Sequence, residues 1–331
     1  MVSGYSAKAI APFVISARRF MPAAQVDIFL YSNSNEPDLR RLAEAHSVTL
    51  VPFVAAPPES TTPSYSLIRK PVAWRFMLAN ALVNVRAACT LGWLVIDARD
   101  VVFQRHVFQT VPRTWTRNCT TLCLESRGLF DPKNPGTLIP DAGLLASTMP
   151  ALGKLNIGTL QCLLGHRQLA RVQTKRTMIN SGVLLGGGDA FHAFMEHYAQ
   201  ELWRMRQRDC RDHGTAGSWW WIPDQLLLNA LVYSGSMGNF SLAPRTESIG
   251  ASNYSTVLLQ ANEDGLVYNV GSHSLLGKSP AIQRYVHNVH NPKGSARVAV
   301  LHQYDRAPAL ASVVKHIYGP IATYWTEEPG T

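Results

Sequence analysis

Two carboxylates interrupt an apolar run. In "GWLVIDARDVVFQRHVF", residues 92–108, the pattern of a buried strand stops at Asp97, Asp100 follows three positions later, and apolar residues resume at Val101. Unpaired charge is expensive to bury, so acids placed there need a basic partner or a bound cation. Arg99, between them, is one answer, and a metal ion is the other. A hard divalent cation that bridges phosphate oxygens takes one or two carboxylates and keeps positions open for its substrate. Mn²⁺ accepts an imidazole as well. Late in the chain, "VAVLHQYDR" puts His302 at the end of another apolar run. Asp97, Asp100 and His302 are therefore the candidate ligands of Mn²⁺ (or Mg²⁺).

These residues need elements to hold them, and the pattern along the chain supplies candidates. "VDIFLYS" (26–32) reads as a buried strand, "EPDLRRLAEAH" as a helix with Pro37 near its start, and "VTLVPF" as a strand. "KPVAWRFMLANALVNV" reads as a helix with Pro71 in its first turn and Val72, Phe76, Ala79 and Val83 on one face. "LGWLVID" is a strand ending on the acids, and "TMINSGVLLGGG" a strand closing on glycines. "DAFHAFMEHYAQELWRMR" is a helix capped by Asp189, "PDQLLLNALVY" a helix with Pro223 in its first turn, and "RVAVLHQYDR" a late strand. Residues 131–177 are irregular and punctuated by Pro and Gly. Strands separated by helices imply an α/β fold with a largely parallel sheet, whose ligands sit outside the carboxyl ends of the strands.

Composition narrows the classes. The chain has 331 residues, 46% hydrophobic and 16% charged, as in an ordinary globular protein. Its net charge of +9 is scattered. Without a Lys/Arg run there is no nucleic-acid stripe, and a phosphate-bearing small molecule suits the charge equally well. Five cysteines, at 89, 119, 123, 162 and 210, are an odd count that yields no disulfide framework, and none has zinc spacing. Sequons occur at Asn118, Asn239 and Asn253. No segment reads as a membrane span, and no basic-then-apolar signal opens the chain.

The order "VIDARDVVFQ", "INSGVLLGG", "PDQLLLNALV", "VAVLHQYDR" resembles the nucleotide-sugar glycosyltransferases of the GT-A fold. The likeness runs from about Ser3 to about Tyr318 and is nearest to families whose acidic motif reads Asp-Val-Arg-Asp-Val-Val-Phe-Gln, more distantly to glycogenin-like enzymes. It implies one Rossmann-like domain with a mixed, mostly parallel sheet flanked by helices, residues 1–130 mainly binding nucleotide and 131–320 mainly binding sugar and acceptor. Asp97 and Asp100 then serve a divalent metal and the donor ribose, with Asp100 on the metal and Asp97 on ribose or metal. His302 completes the metal, and Arg306 contacts the diphosphate. Asn180 and Ser181 match the Asn-x-Gly beside the donor sugar. Asp224 and Gln225 match an Asp-Gln pair near the anomeric carbon, and Arg75 matches an Arg that contacts the donor. Tyr5 is placed to stack on the base, and Trp219, Trp220 and Trp221 to stack on an acceptor sugar.

The resemblance further implies a UDP-sugar as donor, a glycan or glycoconjugate as acceptor, and no nucleic acid. The glycogenin-like pattern, with no carboxylate marked as a general base, leans toward retention of configuration. Only Met1 and Val2 remain of the family's first strand. That strand is either abbreviated or preceded by a missing leader, which would carry any membrane anchor and place the enzyme in the Golgi or secretory lumen, otherwise the cytoplasm. Two rivals remain. An aspartyl-nucleophile phosphohydrolase also sets acids after a buried strand, although its two acids lie one residue apart. A non-catalytic glycan-binding module would keep the tryptophans without needing the acids.

Overall fold

The structure, a computed structural model, describes residues 5–32, 36–52, 71–86, 92–110, 120–128, 130–131, 134–138, 162, 165, 177–207, 223–233, 235–237, 240–242, 257–260, 267–269 and 299–324. In chain order its main elements begin with helix α1 (Ala7–Phe20), strand β1 (Phe29–Ser32), α2 (Pro37–Ala45) and β2 (Thr49–Pro52). Then come α3 (Pro71–Arg86), β3 (Trp93–Ile96), β4 (Val101–Phe103), α4 (Val107–Thr110), β5 (Thr120–Gly128), β6 (Phe130–Asp131) and β7 (Asn134–Leu138). The chain continues through β8 (Thr177–Gly186), α5 (Gly188–Gln207), α6 (Pro223–Tyr233), β9 (Phe240–Leu242) and β10 (Val257–Gln260). It closes with β11 (Val267–Asn269), β12 (Val300–His302) and α7 (Pro308–Tyr324). Helices and strands are mixed, as expected of an α/β chain. Among the described residues the strands form four small sheets, of five, three, two and two strands.

The elements group into two compact units: Met1–Ala55 with Ile96–Pro112 and Asn262–Thr331, and Ala56–Val95 with Arg113–Ala261. In the first, β12 is the middle strand of β11-β12-β4, parallel to β11 and antiparallel to β4, with His302 opposite Val101. β4 and β12 are buried throughout, which is why Val-Val-Phe and Val-Leu show no polar alternation. The expected strand over 297–306 is in fact three residues long; it gives way to a 3-10 turn, Tyr304–Arg306.

Helix α1 occupies a stretch for which the sequence pattern names no element. Ser6 caps it by accepting the Ala9 N–H, while Ile10 and Val14 on its apolar face are fully buried. Pro12 lies inside the helix, where it forfeits a backbone donor. Tertiary contacts offset that loss. Ser16 Oγ donates to the Phe13 carbonyl and accepts the Phe103 N–H at 3.0 Å, and the Phe13 and Phe103 rings lie 5.6 Å apart. The strand that follows the acids is thereby pinned to the helix. At the end of α1, Arg18 donates to the carbonyls of Met21, Val26, His46 and Ser47, closing the turn before β1 onto the one before β2. β1 and β2 pair in parallel around α2, the expected βαβ order.

In the second unit the five-stranded sheet runs β3-β8-β5-β10-β9. β5 pairs antiparallel with β8 and parallel with β10. Helices α3, α5 and α6 begin close to where the sequence places them, at Pro71, Gly188 and Pro223. Asp189 is accordingly inside the first turn of α5 and not its cap. Phe76, Phe191, Met195 and Tyr198 are fully buried, and the Phe76 and Tyr198 rings meet at 4.7 Å. Cys162 is disulfide-bonded, a bridge that the odd cysteine count, which yields no disulfide framework, does not announce. Trp219, Trp220 and Trp221 and the sequon residues Asn118, Asn239 and Asn253 lie outside the described residues. Among the described residues no helix is long and apolar enough to cross a membrane.

Candidate functional site

The bend between β3 and β4 carries Asp97 and Asp100, and the last residue of β12 is His302. Because His302 and Val101 are partners across the β12–β4 ladder, the imidazole is delivered beside the acids from about two hundred positions away. His302 Nε2 lies 3.8 Å from Asp97 Oδ2 and 3.8 Å from Asp100 Oδ1. One donor atom from each of the three residues falls within 4.8 Å of the others. Two carboxylates and an imidazole converging so closely fit a divalent cation with an affinity for nitrogen as well as oxygen. The described set supplies three protein donors, fewer than such an ion's preferred coordination number, so substrate oxygens or water have positions to fill.

Burial is uneven across the trio. His302 is 1% exposed, while the Asp97 side chain is 36% exposed. The cluster is therefore closed on the His302 side and open on the Asp97 side. His302 ends an apolar run, and the sheet encloses it. Burial pushes the Asp100 carboxyl above the usual carboxylate range. The His302 charge draws it back, and Asp97 and Asp305 add to the rise. A cation in place of a proton would relieve this accumulation.

The turn after His302 is held in an uncommon backbone conformation. Gln303 has φ +59° and ψ +36°, the left-handed region, which an L-residue other than Gly, Asn or Asp seldom adopts. That reversal lets the Tyr304 N–H donate to the Asp100 carbonyl at 3.3 Å, a second tie between the two ligand-bearing segments. Burial, followed by the Asp305 and Asp100 charges, pushes the Tyr304 hydroxyl up to about 12. Arg99 reaches Asp305 at 3.1 Å and stands 3.9 Å from Asp100 Oδ2, with the Tyr5 ring 5.7 Å from its guanidinium carbon. Tyr5 is thus at the rim beside Arg99. Arg306 belongs to the 3-10 turn, and its side chain lies outside the described residues. Asp305 belongs to no motif, and its one signal in the sequence is a carboxylate three positions after His302.

The remaining candidates assemble in the second unit. Arg75, in α3, donates to Asp224 Oδ2 at 2.8 Å and to the Ser181 hydroxyl and carbonyl, each at 3.0 Å. The Ser181 hydroxyl also donates to Asp224. All three residues are buried. Arg75 is therefore no solvated helix residue, and Asp224 is held by a charged partner as well as by the start of its helix. Asn180 and Ser181 lie inside β8 and not at its end, with Asn180 Oδ1 accepting the Gly182 N–H at 2.6 Å. Gln225 is half-buried in the first turn of α6, and its carbonyl accepts from Asn229.

Two residues without a sequence signature complete this network. Asn229 pairs with both the N–H and the carbonyl of Ile179, imitating a strand neighbour where the β5–β8 register slips. The Tyr198 hydroxyl donates to the Asp224 carbonyl at 2.6 Å. Burial and the Asp224 charge raise the Tyr198 hydroxyl well above its ordinary value, against an opposing pull from Arg75. Compared with protein-family models and with curated proteins, the chain matches none.

Proposed function

We propose that this chain is a metal-dependent glycosyltransferase of the GT-A type, moving a sugar from a nucleotide diphosphate, a UDP-sugar, to a glycan or other hydroxyl acceptor. The observation that carries the reading is the meeting of Asp97, Asp100 and His302 within a 4.8 Å span, on a sheet where only folding brings the residues together. The order of the four sequence motifs adds to it. Asp100 and His302 would hold the ion, with Asp97, the more exposed acid, shared between the ion and the donor ribose. When bound, a divalent ion supplies neutralisation of the diphosphate charge that grows as the sugar–phosphate bond breaks. The buried Asp100 and His302 would hold such an ion away from water on one side, and the exposed Asp97 would leave the substrate a way in.

On this reading Asn180 and Gln225 belong to sugar recognition, and their loss separates transfer from nucleotide binding. Calorimetry with UDP, and with GDP as control, should show an affinity that requires Mn²⁺ and disappears with chelator. Release of UDP from UDP-sugars without acceptor, assayed across several sugars, then identifies the donor. Metal-independent UDP binding of equal strength would sink the assignment. Phosphate release from simple monoesters, with no turnover of nucleotide sugars, would instead select a phosphohydrolase.

A further inference from the structure

We propose that Arg99 is the second cationic group of this site: the side chain that takes the phosphate oxygens of the metal-bound ligand, with Asp305 holding it in place. The inference rests on the diphosphate reading above and names a residue that reading leaves unused. Arg99 lies in the bend between the two acids, so its backbone cannot drift from the metal position. Asp100 is bracketed. Its Oδ1 faces the His302 imidazole at 3.8 Å, and its Oδ2 faces the Arg99 guanidinium at 3.9 Å. The two oxygens of one carboxylate thus address two cationic positions, one for a metal and one already filled by arginine.

The guanidinium is also steadied from outside. Asp305 accepts from it at 3.1 Å, and the Tyr5 ring lies 5.7 Å from its carbon, within the distance of a cation–π contact. A side chain fixed by a carboxylate and a ring has less freedom to lose when it meets a ligand. It is nonetheless 40% exposed, and the planar fork offers five N–H donors, more than its hydrogen bonds to Asp305 and Tyr5 use. Charge counting points the same way. Asp97, Asp100 and Asp305 carry three negative charges, which would repel a dianionic ligand unless Arg99 and a divalent ion together offset them. A cation on each side of Asp100 is the arrangement that can grip a dianionic ligand, whereas a metal alone would bind it through one edge. Arginine suits this role because its fork matches phosphate oxygens in pairs.

The test separates this role from simple support of the fold, because the two predict opposite signs for the metal. Mn²⁺ alone, inorganic pyrophosphate with saturating Mn²⁺, and UDP with saturating Mn²⁺ are titrated calorimetrically into the wild type, Arg99→Gln and Arg99→Lys, with thermal melts to establish folding. Arg99→Gln should bind Mn²⁺ as tightly as the wild type or up to ~5-fold more tightly, since a repelling charge near the ion is gone. Its Mn²⁺-dependent affinity for pyrophosphate and UDP should fall roughly 10- to 100-fold, the scale of a lost charged hydrogen bond. Arg99→Lys should recover part of that loss. Equal losses for both ligands assign the contact to the diphosphate; a loss confined to UDP moves Arg99 to the nucleoside and overturns the inference. Weakened Mn²⁺ binding in Arg99→Gln would make Arg99 a support of the metal site, also overturning it. Unchanged pyrophosphate and UDP affinity would overturn the inference and leave the nucleotide reading intact. Failure of the wild type to bind either ligand with Mn²⁺ would overturn both.

Discussion

Replacing Asp224 discriminates between a residue kept for a sugar and one kept for the fold. Its carboxylate meets the Arg75 guanidinium at 2.8 Å, and the two side chains are 3% and 8% exposed. The Ser181 hydroxyl shares the same oxygen. Asp224→Ala leaves an arginine buried without its countercharge, a loss typically of about 3–5 kcal/mol. Asp224→Asn keeps an acceptor for Arg75 and Ser181 but removes the charge, so it should lose less, roughly 1.5–3 kcal/mol. The apolar double variant Arg75→Met/Asp224→Leu removes both desolvated charges at once. Its stability should return to within ~2 kcal/mol of the wild type, because a buried pair is often no better than well-packed hydrophobes of similar volume.

The assay is equilibrium urea unfolding of the wild type, Asp224→Ala, Asp224→Asn, and the cycle of Asp224→Leu, Arg75→Met and their double variant. The quantity read is the interaction energy of the cycle, expected at ~2 kcal/mol or more for side chains in direct contact. A loss below about 1 kcal/mol for Asp224→Ala, or additive losses for the two residues, would refute the claim that the pair holds the start of α6 to α3 and β8. Asp224 would then be free for a ligand, as the family likeness has it. A large interaction energy makes any activity lost in Asp224→Ala a consequence of the network first.

His302→Ala should reduce Mn²⁺ affinity by at least ~10- to 100-fold and be strongly non-additive with Asp100→Ala in Mn²⁺ titrations; independent, additive losses would mean the two residues do not share an ion. Since His302 is 1% exposed, the same variant should also destabilise the metal-free protein by ~1–3 kcal/mol in thermal melts, whereas an unchanged melt would show that the imidazole supports no packing. Asp100 has its folded pKa raised, chiefly by burial, so its contribution to metal-free stability is lost as pH rises through that value, and Mn²⁺ should restore it. Melts with and without Mn²⁺ should show a larger gain at pH 7.5 than at pH 5, about 2.7 kcal/mol at a hundredfold excess over Kd; equal gains would argue against binding at an ionised Asp100. Arg18→Met, which strips four backbone carbonyls of their donor, should destabilise by ~2–4 kcal/mol in urea unfolding without changing Mn²⁺ affinity, and a change below ~0.5 kcal/mol would mean those carbonyls find water instead.

Local patterns were legible and distant partnerships were not. Pro37, Pro71 and Pro223 mark helix starts because the fixed φ of proline suits a first turn, and each does open its helix. Pro12 works the other way. Read alone it argues against a helix, and it hides α1, whose other signals (Ser6 as a cap, then Ala7, Ile10, Ala11 and Val14 on one face) are sound. What overrides the proline is packing against Phe103, ninety-odd positions on, which no local window contains. Arg75 meets Asp224 across 149 positions, and the sequence offers only a cation on one helix and an acid on another. Asn and Gly usually punctuate turns, yet Asn180 and Gly182 lie within β8, as the apolar run around them implies. The Asn180 side chain satisfies the Gly182 N–H from within β8, so the strand continues past it.

The acids themselves show why two competing answers to one sequence question can both be right. A broken apolar run says that charge at Asp97 and Asp100 must be compensated, but not from which side. The structure divides the task by oxygen atom. Arg99 approaches Oδ2 of Asp100 from the exposed side and leans more closely on Asp305, at 3.1 Å. His302 approaches Oδ1 from the buried side, together with Asp97. An arginine at 3.9 Å and partly solvated supplies only modest relief to a buried carboxylate, and the Asp100 carboxyl stays raised above its ordinary range by burial even with that arginine present. On the inner side, where the guanidinium does not reach, the proposed cation would add the compensation, and the second acid and the histidine from a distant strand are the donors it would use.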